Sequence, residues 1–149
     1  FGTPAQKRRY LEPLLAGEIA SCYSMTEPQA GADPGQFNCR ARLQGDEWVI
    51  DGEKWFASHA DFSRFLLVVV VTDPTVPIHK GASILIVDRE TPGLEVVRNV
   101  AVGMHAEPGE GVHGHLRFTN CRIPATNILG KPGQGFEVAQ SRLGGGRIH

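Results

Sequence analysis

At 149 residues, with 41% hydrophobic and 21% charged side chains and a formal net charge of -1, the chain can bury one domain core. It is too weakly charged to offer a nucleic-acid surface. Its longest apolar run, Phe65 to Val71, is far too short to span a bilayer as a helix, and no secretory leader is visible.

Cys22, Cys39 and Cys121 are far apart, odd in number and without a CxxC pair, which argues against a disulfide framework and fits a reducing compartment. The chain opens at Phe1 rather than Met and stops at Arg147-Ile148-His149 in what reads as mid-element, so a piece of a longer protein is expected.

Taken in order, Thr3-Pro4 starts a helix, a capping hydroxyl followed by proline at the first helical position. The helix is expected to reach about Leu11 and to be interrupted by Pro13, with one more turn closed by Gly17. From Ile19 the pattern becomes β. Ala41–Leu43 and Trp48–Ile50 flank the hairpin signal Gln44-Gly45-Asp46, and Asp51-Gly52 reads as a second turn before Glu53–Ser58. Phe65–Val71 is a continuous β-branched run, hence a strand buried on both faces. Asp73–Gly81 reads as a loop, Ala82–Asp88 as a strand, and Leu94–Val102 as another. Gly103–Gly114 reads as an irregular loop. His115–Arg122 alternates with Leu116 and Phe118 on one face, and Pro124 ends it. The glycines from Gly130 to Gly135 read as a flexible lead-in to a helix over Phe136–Leu143. Short helix, about seven or eight strands, then the start of a second helix: the pattern predicts a mainly β domain, an antiparallel barrel or sandwich.

The stretch Cys22–Gly35 stands out chemically. It leaves a strand at Glu27-Pro28, and Gly31, Gly35 and Pro34 predict a rigid loop with unpaired N–H groups near Gly31 and a hydroxyl from Thr26. Such a row suits the acceptor-rich edge of a heterocycle or a phosphate, though an ordinary connection has the same composition. Glu27, before proline in a tight loop, is expected to accept loop N–H groups and hold the turn. Trp55 and Phe56 are expected to face opposite ways on their strand, and Phe56 and Ser58 to share a face as an aromatic plate beside a hydroxyl. Core packing is the competing reading. His113 and His115 share a strand face that His105 can approach, but no cysteine or carboxylate stands at ligand spacing, so no metal is expected. His59 and His79 are expected in loops. The dinucleotide fingerprint fails at Val138, the P-loop pattern fails after Lys131, and no Gly-x-Ser-x-Gly occurs.

Three separated stretches resemble one family. Cys-Tyr-Ser-Met-Thr-Glu-Pro-Gln-Ala-Gly-Ala-Asp at 22–33, Trp-Val-Ile-Asp-Gly-Glu-Lys-Trp-Phe-Ala-Ser at 48–58 and Phe118–Pro124, followed by Asn127–Gly130 and Gly133–Phe136, are similar in order and spacing to segments of the acyl-coenzyme A dehydrogenases. Gln140–His149 is closest to the large, kinase-fused or membrane-associated branch. The resemblance implies residues 1–18 as the end of an N-terminal helical domain, 19–130 as the middle β-barrel domain, and 131–149 as the start of a C-terminal helical domain. It implies flavin adenine dinucleotide (FAD) as cofactor and oxidation of an acyl-coenzyme A thioester to the 2,3-enoyl form, a carboxylate taking the α-proton and flavin N5 the hydride. Tyr23, Met25, Thr26, Gly31, Ala32, Phe56 and Ser58 are then the flavin contacts, with Thr26 on the pyrimidine side, Phe56 beside the ring and Ser58 close to N5. Ala32 and Arg147 fall to the substrate side. The catalytic carboxylate is expected from a later helical domain.

Departures from the family pattern are Ala32 for a frequent serine, Phe56 for tryptophan, Ser58 for threonine, His59 for asparagine and Gly144 for aspartate. The implied partners are the acyl-coenzyme A substrate, an electron-transfer flavoprotein and further copies of the chain as a dimer or tetramer. The implied location is cytoplasmic in a bacterium or mitochondrial in a eukaryote, not secreted. Alternatives from the same residues are an acyl-coenzyme A oxidase, another flavin enzyme reusing this domain, or a non-catalytic β-sandwich binding module.

Overall fold

The structure, a computed structural model, describes residues 1–101 and 112–146, with side chains as far as 141. Thr3 opens the first helical run with a capping box. Its hydroxyl accepts the Gln6 amide at 3.2 Å while the Gln6 side chain accepts the Thr3 amide at 2.9 Å. Pro13 does not interrupt the run. Helix α1 (Pro4–Gln6) passes through a π-turn over Lys7–Leu11 into α2 (Glu12–Leu15). The π-turn, closed by the Glu12 amide on the Lys7 carbonyl, changes the hydrogen-bond spacing just before Pro13, which has no N–H to give back into the run. Gly17 closes the run as expected: the amides of Gly17 and Glu18 donate back to Leu14 and Pro13.

Eight strands follow: β1 (Ser21–Ser24), β2 (Arg40–Gln44), β3 (Glu47–Ser58), β4 (Phe65–Val71), β5 (Ala82–Asp88), β6 (Leu94–Val100), β7 (His113–Pro124) and β8 (Ile128–Leu129). They form one open sheet in the order β6-β7-β3-β2-β4-β5-β8, with β1 added beside β4. The mainly β architecture is the expected one, and most pairings are antiparallel. The β1–β4 pairing is parallel, as a connection through two intervening strands permits. β4 is the buried run its composition predicted, six of its seven residues being buried. Fully burying each such side chain is worth about 1.5–3 kcal/mol. One core cluster joins Trp48, Ile50, Leu66, Val68, Leu85, Val87, Leu116 and Phe118, with Leu116 and Phe118 on one face as predicted. A second cluster gathers Ala30, Phe37, Val69, Val71, Ile84 and Val138.

Asp51-Gly52 is not a turn. β3 runs straight through it, and the ladder with β7 shifts register there, beside Asn120 at φ 46. Gly52 has φ 135, and a Cβ on it would lie 2.6 Å from the Cys39 Cα, so the glycine answers to a close strand approach. The glycines before the last helix, α4 (Gly135–Gly146), are likewise packed rather than flexible. The Gly133 amide donates to Ser83 Oγ at 3.0 Å, and a Cβ there would meet the Lys80 carbonyl at 2.5 Å. His79 sits on a short helix, α3 (Ile78–Gly81), within the stretch expected as loop. Most of the expected irregular loop at Gly103–Gly114 lies outside the described residues, and Gly114 belongs to β7.

Candidate functional site

β1 alternates, with Cys22 and Ser24 buried and Tyr23 exposed between them. The chain then leaves the ladder and lays its next residues along the end of β3. Met25 packs its side chain against the second core cluster, its sulfur 3.6 Å from the Tyr23 hydroxyl. Thr26 is half-buried. Its carbonyl accepts the Trp55 amide at 2.8 Å, and its hydroxyl has no partner among the described residues.

Glu27 holds this loop, as its context predicted. Its buried carboxylate accepts the Cys39 amide at 3.0 Å, the Asn38 amide at 2.6 Å and the Gln29 side-chain amide at 2.7 Å. The remaining partner was missed. Lys54, with 0% exposure, donates from Nζ to Glu27 Oε1 and to the Met25 carbonyl, each at 2.8 Å, and lies 4.6 Å from the Phe37 ring centroid. Two opposite charges out of water are tolerable only when paired and hydrogen-bonded on every side, and both are. A signal for Lys54 existed. It stands in step with Trp48 and Ile50 on the inward face of its strand, where a lysine requires a buried acid.

Gly31 and Gly35 do not take the left-handed φ that their type suggested. Instead Gly35 donates its amide to the Asp33 side chain at 2.9 Å, and no atom lies within 4 Å of a Cβ built on Gly31. Gly31 and Ala32 are exposed, and their amides have no partner among the described residues, which is the open row of donors expected there.

Left-handed residues lie instead on the facing edge, at Phe56 and at His59 just beyond the strand. Phe56 has φ 56 at a second register shift of the β3–β7 ladder, between Lys54 and Ala57. This overturns the expectation that Trp55 and Phe56 point opposite ways. The bulge breaks the alternation, and their ring centroids are 5.5 Å apart, edge to face. Phe56 stays exposed. Ser58 stands opposite His113, its Oγ 2.8 Å from Nδ1, and the His113 ring lies edge-on to Phe56 at 6.3 Å.

His115 turns to a different partner, Glu53 Oε2 at 2.9 Å. That contact first, and the Arg117 guanidinium second, hold the Glu53 carboxyl below the usual glutamate range. Among the described residues no three His, Cys, Asp or Glu gather as a metal site. His105 and Arg147 lie outside the described residues. Burial pushes the thiols of Cys22, Cys39 and Cys121 up to about 12, so none is a nucleophile near neutral pH.

The structure thus brings Thr26 against Trp55 through a main-chain bond and leaves Tyr23 and Phe56 as exposed rings near that seam. Met25 gives its carbonyl to the buried Lys54 ammonium, and its side chain is committed to the core. An apolar hollow of about 220 Å³ lies elsewhere, under α1 and α2 against Phe65, Leu67 and Ile86. Of the site residues, Tyr23, Gly31, Ala32 and Phe56 are exposed, and Thr26 and Ser58 are half-buried. An exposed ring, a free hydroxyl and exposed amides fit one side of a flat, acceptor-edged heterocycle such as a flavin.

Residues 22–121 match the family profile described as acyl-CoA dehydrogenase, middle domain. The chain is 44% identical to acyl-CoA dehydrogenase family member 10 of Mus musculus, over the whole chain but 14% of that protein. It superposes on the acyl-CoA dehydrogenase of Geobacillus kaustophilus with a TM-score of 0.89 at 34% identity, covering 99% of this chain and 38% of that one. A chain in the structure titled electron transferring flavoprotein of Acidaminococcus fermentans gives a TM-score of 0.88 at 34% identity, covering 38% of its length. The chain therefore spans well under half of each of these relatives.

Proposed function

The chain belongs to the acyl-CoA dehydrogenase family, and from that premise we propose that it is the middle domain of a longer flavin-dependent oxidoreductase acting on an acyl-coenzyme A thioester. In this reading residues 1–18 close a preceding helical domain, 19–130 are the β domain and 131–149 open a following helical one. The observation that carries it is the Trp55–Thr26 seam, where one amide-to-carbonyl bond of 2.8 Å draws the two family segments together beside two exposed aromatic rings.

Bound FAD supplies the electron-accepting chemistry, and this chain supplies placement. The Thr26 hydroxyl donates to the pyrimidine edge. Phe56 covers the ring plane, and Tyr23 and the Met25 backbone border it. The Gly31 and Ala32 amides would supply donors to its acceptors, and by the family resemblance Ala32 and Arg147 would serve the substrate. Ser58 faces N5. Proton abstraction falls to a carboxylate on a further helical domain, not to a residue of this chain. An electron-transfer flavoprotein as acceptor, a dimeric or tetrameric assembly, and a bacterial cytoplasmic or eukaryotic mitochondrial location complete the reading.

Removing the hydroxyl in Thr26→Val or Ser58→Ala is expected to weaken FAD retention by about 0.5–1.5 kcal/mol each, measured by flavin titration of the full-length apoprotein. Unchanged affinity in both variants refutes these contacts. Full-length protein that purifies without flavin absorbance favours the binding-module alternative, and substrate-dependent oxygen consumption without reduction of an electron-carrier protein favours an oxidase.

A further inference from the structure

The Ser58 hydroxyl is not free. It is held 2.8 Å from His113 Nδ1 on the facing strand, where the two residues are direct cross-strand partners. That pairing is made by the Phe56 bulge. Before the shift, Lys54 pairs with Leu116; continued without the extra residue, the same register would set Ser58 against Val112, which offers no side-chain polar group. The strand therefore carries a strained residue, Phe56 at φ 56, and the strain coincides with bringing an imidazole to the hydroxyl. The rings of His113 and Phe56 also stand nearly perpendicular, with centroids 6.3 Å apart.

A hydroxyl has one proton to give and lone pairs to receive, and a neutral imidazole nitrogen is either donor or acceptor according to its tautomer. Oxidised flavin presents a lone pair at N5, whereas reduced flavin presents an N–H there. A hydroxyl facing N5 must donate in one state and accept in the other. Bonded to an N–H at Nδ1, Ser58 keeps its own proton for N5; bonded to a bare Nδ1, it spends that proton on the imidazole and offers N5 a lone pair. Resting on the flavin reading above, we propose that His113 is a positioning residue. Its Nδ1 sets the direction of the Ser58 hydroxyl, and so whether Ser58 donates to or accepts from the flavin.

The test uses flavin-loaded full-length protein. His113→Asn keeps a polar group near the place of Nδ1, whereas His113→Gln carries its amide toward the place of Nε2 and leaves the Ser58 side empty. Flavin affinity and the position of the oxidised flavin's visible absorption band are read in both, in Ser58→Ala and in the Ser58→Ala/His113→Gln double variant. Ser58→Ala and His113→Gln are expected to weaken retention roughly fivefold, the equivalent of one ordinary hydrogen bond, and to move the band together. His113→Asn should stay near the parent, and the double variant should be no weaker than Ser58→Ala alone.

If Ser58→Ala moves both readouts while His113→Gln moves neither, the role of His113 is overturned and the flavin contact stands. If Ser58→Ala also leaves both unchanged, the flavin contact itself fails. Additive losses in the double variant, or His113→Asn behaving like His113→Gln, likewise overturn the positioning role. Should His113→Gln not fold, His113→Phe keeps the ring shape without either nitrogen and carries the same comparison.

Discussion

The two edges of the Trp55–Thr26 seam are built in opposite ways. On one side the loop from Met25 to Cys39 is pinned from within by an ion pair with 0% and 1% side-chain exposure, whose carboxylate and ammonium reach four other groups around them. On the other side, Phe56–Ser58 is held by a bulge, a left-handed backbone and one half-exposed Ser58–His113 bond. The difference is one of adjustability. Every polar atom of the buried node has a fixed role, so it cannot shift without leaving a charge unpaired. The Ser58–His113 contact can reverse its donor and acceptor without moving a heavy atom.

Lys54→Met breaks this comparison most directly, because it leaves the Glu27 carboxylate buried without its counter-charge. A loss of about 3–5 kcal/mol is expected by urea denaturation, with Lys54→Met/Glu27→Gln recovering part of it. Ser58→Ala should cost only about 1 kcal/mol in the same assay. Equal losses for Lys54→Met and Ser58→Ala would show that the inner edge is no more rigid than the outer one. In the flavin-free protein Lys54→Met should also expose the Met25–Thr26 amides to faster hydrogen exchange, since its ammonium holds the Met25 carbonyl.

The bulge gives a smaller, sharper signal. At a regular strand position glycine is worse than alanine by roughly 0.5–1 kcal/mol. At Phe56, with φ 56, the order should reverse, Phe56→Gly being more stable than Phe56→Ala by about 1 kcal/mol because only glycine adopts that backbone without strain. Both variants should retain flavin less well than the parent, having lost the exposed ring. Alanine matching or exceeding glycine in denaturation midpoint would mean that the left-handed geometry is not maintained in solution, and with it would go the register that joins Ser58 to His113.

The inner edge was half legible in the sequence and the outer edge was not. Local signals carried Glu27, because a carboxylate before proline in a turn has few fates other than accepting loop amides. They also carried the Gln44-Gly45-Asp46 hairpin, the apolar β4 and β5, and the capped start at Thr3. What failed were features set by distant partners. Asp51-Gly52 has the composition of a turn, but its glycine serves the approach of Cys39 from the loop before β2. Pro13 has the composition of a stop, but a π-turn upstream resets the helical frame. Trp55 and Phe56 obey period two until an extra residue removes the period, and nothing local in Lys-Trp-Phe-Ala announces it. Lys54 was readable only by combining strand parity with the cost of a buried charge.

Glu53 and Lys54, adjacent on β3, extend the contrast to an exposed ion pair. Lys54 turns inward to a buried acid, whereas the Glu53 carboxylate turns outward to His115 Nε2 at 2.9 Å and Arg117 Nε at 3.0 Å, with 37% of its side chain exposed. Its carboxyl is held below the usual glutamate range by His115 first and Arg117 second. A depressed carboxyl contributes stability that is fully present above the unfolded-state value, about 4.3 for glutamate, and is lost as pH falls through the lower folded-state value. The thermal midpoint of the parent should therefore exceed that of Glu53→Gln near neutral pH, and the gap should narrow in acid below about pH 4. The exposure of both Glu53 and Arg117 keeps the gap small, and added salt should shrink it further. A gap that stays constant from neutral pH into acid would show that Glu53 acts through packing alone, unlike the charge of the buried residue beside it.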